Sequence, residues 1–172
     1  MMLYLLYLLI FLILATAVFG AISAAPYLPT KKKDVPRMIE LAEIKTDDVV
    51  YDLGSGDGRL VFASAKAGAE QAIGIEVFAL PYFYAWLKSI FYRRTMILYG
   101  DLFNYNLSNA DVVFIFLLDK SYKRLVKKFK TELKPGTRVV VGCWPIEDLK
   151  DKLIKSDGSK EEKKLPIYLY KI

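Results

Sequence analysis

The sequence predicts an α/β fold with a mostly parallel sheet, a C-terminal antiparallel hairpin and one preceding transmembrane helix. Strand-like and helix-like runs alternate after residue 30, and a glycine-rich turn follows the first strand-like run. Such alternation is typical of parallel strands joined by right-handed helical crossovers. A length of 172 residues suits one domain. We therefore divide the chain into a transmembrane anchor at 1–26 and a single domain at 27–172.

The first element is an apolar stretch that runs from Leu3 to Ala25 without a charged residue. It exceeds the about 20 residues that a helix needs to cross a bilayer, so we expect it to span one. A cleavable signal peptide is the alternative, but no Lys or Arg precedes the stretch and Pro26 follows its small residues. The lysines at Lys31–Lys33 favour the cytoplasmic side. The sequence thus predicts a single-pass membrane protein with its domain in the cytoplasm.

The later elements follow from local pattern. Apolar spacing of about 3.6 residues indicates helices, and short apolar runs bounded by turn residues indicate strands. In chain order we expect a helix after Asp34, a strand at Val49–Leu53, a helix at Arg59–Ala67, a strand at Ala72–Glu76, a helix at Ala79–Arg93, strands at Met96–Tyr99 and Asp111–Leu117, a helix at Ser121–Leu133, a strand at Thr137–Gly142, and a hairpin of Leu149–Lys155 with Leu165–Ile172.

The composition excludes several kinds of chemistry. The chain has no histidine and one cysteine, Cys143. Zinc hydrolases and Ser-His-Asp catalysis are therefore excluded, and we expect no metal. The formal net charge is +6, with basic residues concentrated at 31–33 and 120–134. Nucleic acid and an anionic membrane surface both attract such charge, and next to an apolar anchor we favour the membrane and consider nucleic acid unlikely.

The glycine-rich turn predicts a cofactor site. It reads Asp52-Leu53-Gly54-Ser55-Gly56-Asp57-Gly58 and lies where the first strand ends and a helix begins, which is the ligand-binding edge of an open parallel sheet. The spacing differs from the G-x-G-x-x-G of dinucleotide binders, and no P-loop lysine follows. The two aspartates disfavour a pyrophosphate but suit a cofactor that bears an ammonium and a sulfonium.

Two further carboxylates are expected at the same edge. Glu76 ends the second strand, where it can accept hydrogen bonds from both hydroxyls of a ribose. Asp101 follows the third strand, where it can meet an adenine amino group. A solvated strand end and a turn-forming aspartate are the plain structural alternatives. Together with the turn, the two carboxylates predict a nucleoside site.

With these motifs the chain resembles the class I, seven-strand, Rossmann-like methyltransferases that use S-adenosylmethionine. Within them it is similar to the membrane-anchored lysine methyltransferases that modify the ATP synthase c-subunit and the adenine nucleotide translocase, through its apolar start, the segment from Pro26 to Thr30, the motif DLGSGDGR and the closing strand Tyr168–Tyr170. The resemblance implies that Thr30 lines the active site and that Asp52, Gly54, Gly56, Glu76 and Asp101 hold the cofactor. Ser55, Asp57 and Gly58 complete the expected cofactor loop.

The acceptor site is expected after the fourth and fifth strands. Asp119 or Tyr122 would orient a lysine amine, whose pKa falls when it is buried beside a positive charge, and Trp144 would form a wall. Helix capping and core packing are the alternatives for these three residues. We predict a protein lysine N-methyltransferase that acts on a membrane-associated protein. The alternatives are a methyltransferase of a quinone or lipid, and a cofactor-binding membrane module without catalysis.

Overall fold

Seven strands of the computed structural model form one sheet with the order β3-β2-β1-β4-β5-β7-β6. The structure describes residues 3–8, 10–11, 14–15, 30–158 and 164–172. The strands are β1 Val49–Leu53, β2 Gln71–Glu76, β3 Thr95–Tyr99, β4 Val112–Ile115, β5 Arg138–Gly142, β6 Leu153–Asp157 and β7 Ile167–Lys171. Numbered from Val35, the helices are α1 Val35–Ala42, α2 Arg59–Lys66, α3 Ala79–Ser89 and α4 Tyr122–Glu132.

The sheet is parallel from β3 to β5 and antiparallel at its end. β1 pairs in parallel with both β2 and β4, while β7 runs antiparallel to β5 and to β6. The predicted α/β class, seven-strand sheet and C-terminal hairpin are therefore confirmed. The strand order reverses between β1 and β4, and ligands bind at such a reversal in open α/β sheets.

The core lies on both faces of this sheet. Neighbouring residues of β4 point to opposite sides: Val113 joins the apolar cluster under α4, and Phe114 joins the cluster under α1 and α2. Both side chains are fully buried. Coverage on both faces explains why the parallel strands read as continuous apolar runs.

The prediction of a transmembrane helix is wrong. Residues 3–8, 10–11 and 14–15 are helical, but across the residues that the structure describes no helix combines the length and apolarity that crossing a membrane requires. Two further predictions depend on that helix and on Lys31–Lys33, namely the single-pass topology and the cytoplasmic placement. Both are wrong for the same reason. The rest of the expected span, residues 9, 12–13 and 16–25, lies outside the described residues.

Several element boundaries also differ from expectation, and three of them have a clear description. Helix α3 ends at Ser89, because a turn follows in which Tyr92 donates to the Ser89 carbonyl and Arg94 takes a φ of 64°. Strand β4 is shorter than its apolar run. Residues 147–152 form a 3-10 turn rather than a strand, since Leu149 alone among them is buried and period-two alternation is missing.

Candidate functional site

The glycine loop joins β1 to α2 by a turn that needs backbone freedom. Gly54, Gly56 and Gly58 have φ values of 84°, 56° and 76°, which L-residues with a side chain rarely adopt. A Cβ at Gly58 would come within 2.7 Å of the Phe62 ring. Gly54 and Ser55 donate backbone hydrogen bonds to the Ile75 carbonyl at 2.9 and 3.0 Å, so the loop is fastened to β2.

Glu76 holds the same loop with its side chain. Its Oε2 accepts a hydrogen bond from the Gly56 N–H at 2.6 Å, and its Oε1 accepts one from Phe78 N–H at 2.7 Å. The residue is only 3% exposed. Burial raises the pKa of this carboxyl group, and the backbone donors oppose the shift. Glu76 thus links the end of β2 to the glycine loop and to the start of α3.

Asp52 adds a second buried carboxyl group at the end of β1. It is 4% exposed. Burial, followed by repulsion from Glu76 and Asp57, raises the pKa of Asp52 to about 8, although Arg59 acts in the opposite direction. Asp52 therefore keeps its proton at neutral pH, and a cation bound beside it would favour the ionised carboxylate.

Asp101 lies beside these groups, at the end of β3. The Gly100 N–H donates to the Glu76 carbonyl at 2.9 Å, so the ends of β2 and β3 are joined. Asp101 is half-buried, and its Oδ1 accepts a hydrogen bond from Phe103 N–H at 3.0 Å. The three expected acidic positions are thus brought to one edge of the sheet, with Asp101 also capping the turn at 102–104.

A contact that sequence reasoning missed joins Thr30 to the glycine loop. Arg59 donates through Nη1 to the Thr30 carbonyl, and its Nε and Nη2 form a two-point ion pair with the Asp57 carboxylate at 2.8 and 2.6 Å. Thr30 is 6% exposed. The sequence signal was the arginine directly after Gly58. Residues 26–29, which precede Thr30 in the segment that carries the family resemblance, lie outside the described residues.

A cavity of about 380 Å³ opens beyond the ends of β4 and β5. Asp119, Tyr122 and Trp144 line it together, as do Glu147 and Asp148, which sequence reasoning did not single out. Asp119 is exposed at the start of a 3-10 turn, and α4 begins without a side-chain cap, so the capping alternative fails for Asp119.

Tyr122 is the buried wall of this cavity. It is 6% exposed, and its hydroxyl donates to the Trp144 carbonyl at 3.3 Å. Burial raises the pKa of this hydroxyl well above its ordinary value, so Tyr122 is neutral at physiological pH. Leu117, which precedes the cavity, would lie 3.0 Å from a Cβ at Gly54. Leu117 therefore connects the glycine loop with the segment that leads from β4 to the cavity.

Residues 52–152, from Asp52 to the end of the cavity region, match the model of the ANTKMT methyltransferase domain. The chain belongs to this methyltransferase family. It is 39% identical over 153 residues to a protein-lysine N-methyltransferase of Saccharolobus islandicus (strain REY15A), covering 86% of this chain and 93% of that protein. It is 33% identical to the lysine N-methyltransferase of the ATP synthase c-subunit from Xenopus laevis and 30% identical to the adenine nucleotide translocase lysine N-methyltransferase of Mus musculus.

The two vertebrate matches cover 70% and 78% of this chain but only 54% and 59% of those proteins. A solved structure, an RNA methyltransferase from Salinibacter ruber in complex with S-adenosyl-L-homocysteine, aligns with a TM-score of 0.76 at 32% identity and covers 84% of this chain and 94% of that one. The chain is thus an S-adenosylmethionine-dependent methyltransferase, as the resemblance implied.

Proposed function

We propose that this family member is a protein-lysine N-methyltransferase and that its acceptor is a lysine of a membrane-associated protein. The main support is the archaeal relative named for lysine methylation, which this chain matches along almost its whole length. The vertebrate relatives, whose names give the ATP synthase c-subunit and the adenine nucleotide translocase, support a membrane-protein acceptor.

The residues at the glycine loop fit the cofactor. Glu76 supplies negative charge for a cationic ligand, Asp52 would add charge by releasing its proton, and Asp57 adds a carboxylate that is paired with Arg59. The glycines leave room for close approach of the backbone. Ser55 Oγ is buried and, among the described residues, has no hydrogen-bond partner, so it offers a free polar group. We assign cofactor binding to one continuous edge, made of Asp52, Gly54, Ser55, Gly56, Asp57, Gly58, Glu76 and Asp101.

Each carboxylate in this assignment has a role that its position supports. Glu76 retains lone pairs beside its two backbone bonds and would accept hydrogen bonds from the ribose hydroxyls. Asp101 would accept a hydrogen bond from the adenine amino group. Asp52 would lie close to the positive charge of the cofactor. When bound, S-adenosylmethionine supplies an electrophilic methyl group on a sulfonium.

The cavity beyond β4 and β5 would hold the acceptor. Asp119 at its exposed mouth would attract the lysine ammonium and take up the proton that the amine must lose. The rings of Tyr122 and Trp144 would form a wall that holds the alkyl chain, and the neutral Tyr122 hydroxyl would orient the nitrogen. Arg59 would keep Thr30 beside the glycine loop. Positioning and exclusion of water, rather than a strong base, would provide the rate enhancement.

The acceptor class is tested with a radiolabelled methyl group. The purified chain is incubated with labelled S-adenosylmethionine and a membrane extract, which is then divided into protein, RNA and lipid fractions. Label in protease-sensitive material that mass spectrometry maps to lysine supports the proposal. Label in RNA would instead favour the activity named for the Salinibacter ruber protein. Label in organic-soluble material would favour a quinone or lipid acceptor.

A pair of variants then links the activity to the cavity. Asp119→Asn removes the charge at the mouth, and Tyr122→Phe removes the buried hydroxyl while keeping the ring. Both should retain cofactor affinity and lose methylation of lysine about 10- to 1000-fold. Wild-type activity in both variants would show that the acceptor binds elsewhere.

A further inference from the structure

Helix α3 and the turn after it present large apolar side chains to solvent. Seven of them are between 43% and 82% exposed: Leu80, Phe83, Tyr84, Trp86, Leu87, Ile90 and Phe91. We call these side chains the aromatic face. Their spacing follows an outward helical stripe, where a helix on the surface of a soluble domain normally carries polar residues.

The inner side of α3 is also apolar and supplies the contacts with the core. The aromatic face is therefore an additional apolar surface. Ala85 is fully buried, and the Tyr82 ring packs at 5.0 Å from the Tyr99 ring of β3. β3 is an edge strand of the sheet, and its Met96 and Tyr99 are each 44% exposed, which extends the apolar surface. Exposed apolar patches of several hundred Å² mark binding surfaces. A partner is therefore expected at this face.

The charges around the aromatic face indicate what the partner is. Residues 77–100 contain no Asp or Glu but include Lys88, Arg93 and Arg94. Lys88 Nζ lies 5.9 Å from the centroid of the Tyr84 ring, and Lys66 Nζ lies 5.5 Å from that of Tyr92, the neighbour of Phe91. The basic groups thus adjoin the apolar surface. A second copy of the chain would bring like charges together, whereas an anionic partner would be attracted.

We propose that the aromatic face binds the surface of a membrane that contains anionic lipids, with α3 lying along the interface. Six of the eleven residues from 82 to 92 are aromatic. Tyr and Trp concentrate at the headgroup level of bilayers, and an apolar stripe beside basic residues is the pattern of helices that lie in the interface. Such binding needs no spanning helix. It is also independent of the methyl acceptor and would hold whichever acceptor is found.

The fluorescence of Trp86 measures this contact directly. The sequence contains two tryptophans, so a full-length chain with Trp144→Phe reports Trp86 alone. On vesicles of phosphatidylglycerol and phosphatidylcholine, its emission should shift to shorter wavelength and be quenched by brominated acyl chains. On phosphatidylcholine alone, binding should be about tenfold weaker or more, because each basic residue near an anionic surface contributes about fivefold.

A matched pair of variants separates the aromatic face from other apolar surface. Phe83→Ser/Leu87→Ser should weaken binding of the anionic vesicles about tenfold or more, because two apolar side chains no longer become buried in the membrane interface. The control, Leu153→Ser/Ile154→Ser, changes two exposed residues of β6 at the opposite edge of the sheet and should bind as wild type. Phe91→Ser, at an 82% exposed position after the helix, tests the same face if the double variant does not fold.

Three results would overturn the proposal. One is an emission spectrum of Trp86 that stays the same with every vesicle. This result counts against the proposal even if the chain sediments with lipid through another segment. Another is equal vesicle binding by wild type, Phe83→Ser/Leu87→Ser and Phe91→Ser. The last is a lipid-independent dimer that Phe83→Ser/Leu87→Ser or Phe91→Ser dissociates, which would assign the aromatic face to a second copy.

Discussion

Glu76 combines two tasks at the cofactor edge. Its carboxylate accepts backbone hydrogen bonds from Gly56 and Phe78, and the same group is assigned to the ribose. A carboxylate whose two oxygens already accept backbone hydrogen bonds loses little conformational freedom when a ligand binds. This pre-organisation explains why one buried carboxylate is placed where three segments of the chain meet.

Glu76→Ala should weaken the binding of S-adenosylmethionine about 10- to 100-fold, because hydrogen bonds to a charged group are lost and the glycine loop is no longer held. Calorimetric titration measures the change. Glu76→Gln, which keeps one oxygen, should lie between wild type and Ala. Glu70→Ala, at an exposed position just before β2, is the control. An unchanged affinity in Glu76→Ala would remove Glu76 from the site.

Asp52 should couple cofactor binding to proton release. Its pKa of about 8 means that the unliganded protein holds this proton at pH 7. A cation bound nearby favours the carboxylate, so binding should release about one proton, and affinity should rise with pH up to about 8. Titrations at pH 7 in two buffers of different ionisation enthalpy count the protons. Asp52→Asn should abolish this release, and the same release in the variant would assign the proton to another group.

The same shift makes the unliganded fold sensitive to pH. In the unfolded chain Asp52 ionises near its ordinary value of 3.8, whereas in the folded protein it keeps its proton to about pH 8. The unfolded state therefore binds fewer protons across this window, and Asp52 makes the folded state less stable as the pH rises through it. Asp52→Asn should flatten this part of the stability profile in thermal unfolding at pH 5, 7 and 9.

Among the elements, α2 positions both the glycine loop and the segment before α1. Its first residue, Arg59, holds both Asp57 and the Thr30 carbonyl and so fixes the chain before α1 against the loop. An arginine suits this task because its planar guanidinium donates in several directions at once, which a lysine cannot do. Thr30 thus takes its place through a contact 29 residues away in sequence.

Arg59→Ala should lower kcat/KM about tenfold or more, with the larger part in kcat if Thr30 shapes the active site during the reaction. Arg59→Lys should recover only part of the loss. Lys66→Ala, at the exposed end of the same helix, should behave as wild type with a soluble peptide acceptor. A fall in thermal stability with unchanged kcat and KM would give Arg59 a structural role only.

The elements also show what the sequence could and could not predict. Buried parallel strands were found because their apolar runs are continuous, and Asp52, Glu76 and Asp101 were placed together because parallel strands end at one edge. The Arg59–Thr30 contact and the presence of Glu147 and Asp148 at the cavity depend on tertiary packing, which local pattern does not contain. The apolar start suggested a spanning helix on hydropathy alone, and the described helices do not support it.

At the scale of the whole molecule, one arginine joins the beginning of the domain to its end. Arg37 of α1 donates to the Asp34 and Asp157 carboxylates, both at 2.8 Å, and to the carbonyls of Asp157 and Leu165 at 3.2 and 3.0 Å. These contacts hold α1 against the C-terminal hairpin. Because β7 lies between β5 and β6, the hairpin supports the strand that ends at the acceptor cavity.

Arg37→Ala should lower the free energy of unfolding by about 2–4 kcal/mol, because it leaves the Asp34 carboxylate, 1% exposed, buried without its cation. For a domain of this size the melting temperature should fall by roughly 5–12 °C. Asp34→Asn/Arg37→Ala removes the stranded charge and should recover part of the loss. Arg93→Ala, at an exposed site, is the control. If the double variant is no more stable than Arg37→Ala, the hydrogen bonds to the hairpin, rather than the buried charge, provide the stabilisation.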